Sequence, residues 1–163
     1  MVCRAMATHL WLLRHGEAEP HGTGPDAERP LTARGASQAR AAGAALARGR
    51  VKLDAVLTSP RIRARDTALL ACESLDGLEP ATYPALSGGF DGAQARELIA
   101  EQGSNAHLMV VGHEPDFSQT IHDLSGARVD LKKGGLALVR VGAGSGQLLL
   151  LLRPGEIERI AAV

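Results

Sequence analysis

The chain has 163 residues, 45% of them hydrophobic, and its 18 basic and 18 acidic side chains balance to a formal charge of zero. That length predicts one domain, 1–163, whose core can bury well over half of the unfolded chain's surface. The neutral total argues against a nucleic-acid binder or a membrane-surface protein acting through bulk charge, but leaves room for a local basic pocket. The two cysteines, Cys3 and Cys72, form neither a disulfide framework nor a metal-ligand pattern, so a reducing compartment is expected. No apolar run approaches the ~20 residues that cross a bilayer, and the opening Met-Val-Cys-Arg-Ala-Met-Ala has no signal-peptide apolar region. A cytoplasmic protein, monomeric by default, is the expectation. Residues 1–7 read as a loose extension, with Met6 a candidate for the true start.

With one Trp, one Tyr and two Phe, the core must be built from Leu, Val and Ala. His9 to Leu13 is a short apolar run suited to a strand buried on both faces. Residues 15–30 are polar and rich in Gly and Pro, a loop. Thr32 reads as a helix N-cap, and Ala36, Ala39, Ala42, Gly43 and Leu46 keep helical spacing to about Arg50. Asp54 to Thr58 is a second strand, broken by Ser59-Pro60. A helix is predicted from Pro60 to about Leu75, with Ala64, Ala68, Leu69 and Cys72 on one face.

Ala81 to Leu86 reads as a short third strand, Ser87-Gly88-Gly89 as a loop, and Ala93 to Glu101 as a short helix. Leu108 to Val111 is another apolar run, followed by Gly112-His113-Glu114-Pro115. Pro115 fits the first turn of a helix running to about Leu124. Leu136 to Val141 and Leu148 to Leu152 flank a glycine-rich turn and predict a terminal β-hairpin. Strands alternating with helices predict an α/β protein, a three-layer αβα sandwich around a mainly parallel sheet. The sequence has no internal repeat, low-complexity tract or interdomain linker.

In open α/β sheets, ligands bind outside the carboxyl ends of the strands. Three predicted strand ends carry Arg or His: Arg14-His15, Ser59-Pro60-Arg61-Ile62-Arg63, and Gly112-His113. Two arginines and two histidines facing one crevice would make an electropositive pocket, and arginine's planar fork matches phosphate oxygens. The helix after Pro60 would add its backbone N–H groups. No P-loop pattern is present. Carboxylates with metal-ligand spacing are also absent, which disfavours a two-metal phosphatase. A histidine can itself act as nucleophile on phosphorus.

Four segments then carry a resemblance. Leu13-Arg14-His15-Gly16-Glu17 resembles the Arg-His-Gly motif of the histidine phosphatase superfamily, which has the phosphoglycerate-mutase-like fold. Pro30-Leu31-Thr32-Ala33-Arg34-Gly35, Ser59-Pro60-Arg61-Ile62-Arg63-Ala64-Arg65-Asp66-Thr67-Ala68 and Val111-Gly112-His113-Glu114-Pro115 resemble its later motifs, in the same order. The short chain, without large cap insertions, most resembles the SixA-type phosphohistidine phosphatase branch. The resemblance implies that His15 is the nucleophile and carries the phosphoryl group. It implies that Arg14, Arg63 and His113 hold the phosphoryl oxygens, with Gly16 and Glu114 beside the substrate. It implies no cofactor and no metal, and a phosphorylated partner such as a phosphohistidine-bearing protein domain. Arg61 and Arg65 fall outside the motif and are expected to be solvated.

One departure bears on substrate. Larger members of the superfamily supply a glutamate general acid after a middle strand. Here that segment, Pro84-Ala85-Leu86-Ser87-Gly88-Gly89-Phe90-Asp91, has no glutamate. A general acid contributes about 10²- to 10⁴-fold, and an alkoxide leaving group needs it more than an imidazole does. Phosphohistidine is therefore the first expectation. Glu114, Asp91 and Glu17, in that order, are candidate acids for the alternative, a small phosphomonoester. A mutase is disfavoured by the absent cap. A catalytically silent phosphate- or phosphoprotein-binding module is disfavoured by the presence of all four core residues. His9, His21, His107, His122, Lys132 and Lys133 are expected at the surface or in structural roles, and Cys72 in the core.

Overall fold

The computed structural model describes residues 6–22, 24–103 and 105–163. Strands β1 (Thr8–Arg14), β2 (Ala55–Thr58), β3 (Ala81–Thr82), β4 (His107–Gly112), β5 (Leu136–Val141) and β6 (Gly146–Leu152) form one sheet in the order β3-β2-β4-β1-β5-β6. The first four strands run parallel; β5 is antiparallel to β1 and to β6. Five helices accompany them: α1 (Ala33–Arg48), α2 (Ile62–Cys72), α3 (Gly92–Gln102), α4 (Asp116–Ser125) and α5 (Pro154–Ala161).

Alternation along β1 sorts the core into two halves, because successive side chains leave a strand on opposite faces. Leu10 and Leu12 pack with Leu108, Val110, Phe117 and Leu98 on the side of α3 and α4. Trp11 and Leu13 pack with Met109, Val111, Ala42, Ala68 and Ile157 on the side of α1, α2 and α5. This is the expected three-layer sandwich. The alanines and glycines let helices approach closely: a Cβ on Gly43 of α1 would collide with the Ala71 carbonyl of α2.

Thr32 caps α1 as its sequence predicts, its Oγ1 accepting from Gly35 N–H at 3.1 Å. Elsewhere boundaries move. Helix α2 begins at Ile62 rather than Pro60, and Leu69 leaves its apolar face: it is 50% exposed, while Ala64, Ala68, Ala71 and Cys72 are buried. Residues 64, 68 and 71 keep a three-to-four spacing, whereas 69 lies about 100° from 68. The expected third strand shrinks to two residues and gives way to a 3-10 turn at Pro84–Ser87. Pro115 stands at the N-cap of α4, after a cis Glu114–Pro115 peptide. Helix α5 has no counterpart in the sequence reading; it buries Ile157 under the α1 side of the sheet. Of the expected loose residues 1–7, residues 1–5 and with them Cys3 lie outside the described residues. Met6 is exposed, and Ala7 is buried with its N–H donating to Asn105 Oδ1.

Candidate active site

The parallel pairing of β1, β4 and β2 brings three chain segments together at the carboxyl ends of the strands. Arg14 lies opposite Gly112 and Thr58 opposite Val111 in the strand register. The ladder continues one residue past the strands, with His15 N–H donating to Gly112 O and Ser59 N–H to Val111 O, both at 3.0 Å. His15, Ser59 and His113 thus emerge side by side. The imidazoles of His15 and His113 are 5.3 Å apart between centroids, tilted by 55°.

The turn after β1 is fastened from two sides. Gly16 N–H donates to Thr67 Oγ1 at 3.1 Å, and the same hydroxyl donates to Arg63 O at 2.7 Å, coupling the turn to α2. Gly16 also packs on Gly35 at the start of α1, where a Cβ on Gly16 would sit 2.9 Å from the Gly35 Cα. Gly16 thus leaves room for the backbone of Gly35, and Gly35 in turn for the backbone of Glu17. Gly16 does not line the cavity beside these residues. Both its polar groups have partners, the N–H in Thr67 Oγ1 and the carbonyl in His15 Nδ1.

His15, Arg63 and His113 are 6%, 4% and 7% exposed. Together with Arg14 they line a cavity of about 790 Å³, which Arg61 and Lys133 also border. His15 Nδ1 lies 2.7 Å from Gly16 O. A carbonyl oxygen only accepts, so Nδ1 carries the proton and Nε2 keeps its lone pair. Nε2 has no hydrogen bond to any described residue. Burial, with the charges of Arg63, Arg14 and Lys133, pushes the His15 pKa down to about 4 despite the Gly16 carbonyl. Burial, then His15, Arg63 and Arg61, pushes His113 down to about 3. Both rings are neutral at pH 7.

The donors around them are incompletely used. Arg14 Nη1 donates to Leu131 O at 2.9 Å, but its Nε is buried without a partner. Arg63 Nη1 donates to Asp26 O at 2.8 Å and Nη2 to Asp26 Oδ2 at 3.2 Å, leaving Nε buried and unpartnered. His113 Nδ1 is in the same state. Buried polar groups are normally paired, and these three unpartnered atoms belong to side chains that line the cavity. Their charge and fork geometry suit an oxyanion. Among the described residues, no group of three or more His, Cys, Asp or Glu side chains could hold a metal ion.

The carboxylates fall out differently from the sequence ranking. Asp91 is removed from consideration: its side chain caps α3 by accepting from Gln94 N–H, and it does not line the cavity. Glu17 and Glu114 do line it. Glu17 accepts from the Thr32 hydroxyl at 2.8 Å. Glu114 accepts from Ser118 N–H at 2.8 Å and from the Ser118 hydroxyl. Arg61, expected to be solvated, instead borders the cavity and donates to Asp26 at 2.8 Å. Arg65 is exposed and pairs with Asp66. Lys133 also borders the cavity, while His9 and His107 stack on each other across β1 and β4.

Asp26 escaped the sequence reading. Burial opposes its charge, yet the hydrogen bonds and charges of Arg29 and Arg63 outweigh burial and bring its pKa down to about 2. It sits in the polar loop that follows β1, where nothing in the local pattern separates it from Glu19 or Glu28. Only the meeting of that loop with α2 singles it out.

Residues 10–102 match the model of the histidine phosphatase superfamily, branch 1. An uncharacterised protein of Picosynechococcus sp. is 29% identical over 158 residues, covering 89% of this chain and 96% of its own. The solved structure of the protein histidine phosphatase SixA with tungstate superposes with a TM-score of 0.79 at 25% identity, covering 90% of this chain and 97% of that one. The α-ribazole phosphatase of Shigella flexneri shares the fold, with a TM-score of 0.72 at 22% identity, covering 90% and 96%. The chain belongs to the histidine phosphatase superfamily. It is a phosphatase of the compact, SixA-type architecture.

Proposed function

We propose that this phosphatase hydrolyses phosphohistidine through a covalent intermediate on His15. The observation that carries the covalent step is the His15 tautomer: Nδ1–H is held by the Gly16 carbonyl, and the Nε2 lone pair is left for phosphorus. Nε2 attacks phosphorus in line with the departing nitrogen. The phosphorus–nitrogen bond of the substrate breaks, and its electron pair leaves with the substrate imidazole. Water then attacks phospho-His15, giving inorganic phosphate and restoring the Nε2 lone pair. The guanidinium groups of Arg14 and Arg63, with His113, stabilise the charge on the transferring group's oxygens, the dominant need of phosphoryl transfer.

The phosphohistidine assignment rests on the leaving group. The carboxylates bordering the cavity are engaged: Glu17 by Thr32, Glu114 by Ser118, and Asp116 by Phe90 N–H at 3.3 Å. A substrate imidazole protonated on its remote nitrogen departs as a neutral molecule and does not require a proton from them. The likeness to SixA, whose structure holds tungstate, a tetrahedral oxyanion, supports the same reading. The open cavity, without a capping insertion, admits a phosphohistidine displayed on a protein surface.

A second reading has one observation in its favour. Glu114 borders the cavity and interacts electrostatically with Arg14, so it stands where an acid for a phosphomonoester would be needed. The deciding experiment is hydrolysis of a phosphohistidine peptide beside a panel of small phosphomonoesters at pH 6 to 8, with chelator, using His15→Ala as control. Fast phosphoramidate loss that His15→Ala abolishes, with weak ester turnover, supports the proposal. Fast ester turnover assigns the enzyme to phosphomonoesters.

A further inference from the structure

Behind His113 stands a second buried hydroxyl. Ser59 is fully buried, and its Oγ lies 2.7 Å from His113 Nε2. The same oxygen accepts from Arg61 N–H at 3.2 Å. A serine hydroxyl has one proton and two lone pairs. Arg61 takes one lone pair, so the His113 contact can be made in two ways.

If Nε2–H donates, Ser59 accepts twice and its own proton, buried, has no acceptor among the described residues. His113 Nδ1 is then a bare, unpartnered lone pair, with nothing to donate to an oxyanion. If Ser59 O–H donates to Nε2, every polar group of Ser59 is satisfied, and His113 carries its proton on Nδ1. A stranded buried hydroxyl is costly, so the second arrangement is preferred. It also turns the unpartnered Nδ1 into a hydrogen-bond donor.

We infer that Ser59 is a positioning residue: its hydroxyl sets the tautomer of His113, so that a neutral histidine donates Nδ1–H to a phosphoryl oxygen. The inference rests on the reading of His113 as a phosphoryl ligand. The motif Ser59-Pro60 thereby has a chemical as well as a structural use. Pro60 breaks the strand, and Ser59, the last residue paired to β4 through its N–H, aims its hydroxyl at the ring on the neighbouring chain segment.

The test is long-range ¹H–¹⁵N correlation of the imidazole nitrogens at pH 7, with tungstate binding measured by calorimetry. The expected result is Nδ1–H with bare Nε2 for His113 in the unaltered protein. Ser59→Ala should shift His113 toward Nε2–H and weaken tungstate about 10-fold, while Ser59→Thr, which keeps the hydroxyl, should retain Nδ1–H. An Nε2–H tautomer in the unaltered protein overturns the inference, and so does an unchanged Nδ1–H in Ser59→Ala. The unaltered protein decides the matter if Ser59→Ala does not fold. The expected tautomers without tungstate binding would support the role of Ser59 and sink the phosphoryl-site reading instead.

Discussion

The carboxylate of Asp26 lies 3.2 Å from Nη2 of Arg63, 37 residues further along the chain, and its backbone carbonyl takes Nη1 of the same guanidinium. Two bonds from one residue fix the plane of the arginine and leave only Nε unpartnered. Asp26→Asn keeps a neutral acceptor but loses the charge that holds Arg29, Arg61 and Arg63 together. Charge-assisted bonds are about twice as strong as neutral ones. We expect kcat/KM to fall about 5- to 50-fold with the fold intact, checked by steady-state kinetics and circular dichroism.

His15→Ala removes the proposed nucleophile and should abolish turnover. In the unaltered protein, acid-labile, alkali-stable label from a ³²P-phosphohistidine donor should appear on the chain and map to the peptide containing His15. Label elsewhere, or full turnover by His15→Ala, would refute the covalent route.

Glu114→Gln separates the two substrate classes. On phosphohistidine the loss should be under about 3-fold. If phosphomonoesters are turned over with Glu114 as acid, their hydrolysis should fall about 10²-fold or more. Parallel kinetics on both substrates give the answer directly.

Stability should depend on the two site histidines. Folded His15 and His113 have pKa values near 4 and 3, against an ordinary 6.5. Between these limits the unfolded chain binds more protons, so stability is fully present above about pH 6.5 and is lost as pH falls toward 4. Each histidine contributes a slope of at most about 1.4 kcal/mol per pH unit. Asp26, depressed to about 2, adds a loss of the same sign that begins near pH 5 and falls mainly below pH 4, so the histidine slope is read between pH 5 and 6.5. Urea unfolding at pH 4, 5, 6 and 7 should show the decline, and His113→Asn should reduce its slope by about half.

Gly43→Ala tests the close approach of α1 to α2. The added methyl meets the Ala71 carbonyl, which is backbone and cannot swing aside. Overpacking of this kind costs about 1–3 kcal/mol, a loss readable by thermal melting with the active-site residues untouched.

Most of the sheet was legible because its strands are written twice over. Within Thr8–Arg14 and His107–Gly112 lie the continuous apolar runs Leu10–Leu13 and Leu108–Val111, as burial on both faces demands. The helix start at Thr32 was legible because a cap is a local bond between a side chain and a backbone three residues on. The third strand was overread, since its two residues, Ala81 and Thr82, are both exposed and carry no apolar signature. Helix α5 was missed although Pro154 stands in its first turn and Ile157, Ile160 and Ala161 keep helical spacing; its eight residues span little more than two turns.

The amino-acid sequence by itself determined which residue types gather at the strand ends: Arg14, His15, Arg63 and His113 sit in short motifs whose chemistry is readable one residue at a time. Tertiary structure alone decided how they are used. The His15 tautomer depends on the Gly16 carbonyl folding back to its ring. The selection of Asp26, the arrival of Arg61 at the cavity and the pairing of Ser59 with His113 join groups up to 54 residues apart. A hydrogen bond is specified by position and direction, to tenths of an ångström, whereas a sequence pattern specifies only face and period. Which polar groups are satisfied and which are left for a ligand is settled when separate segments meet.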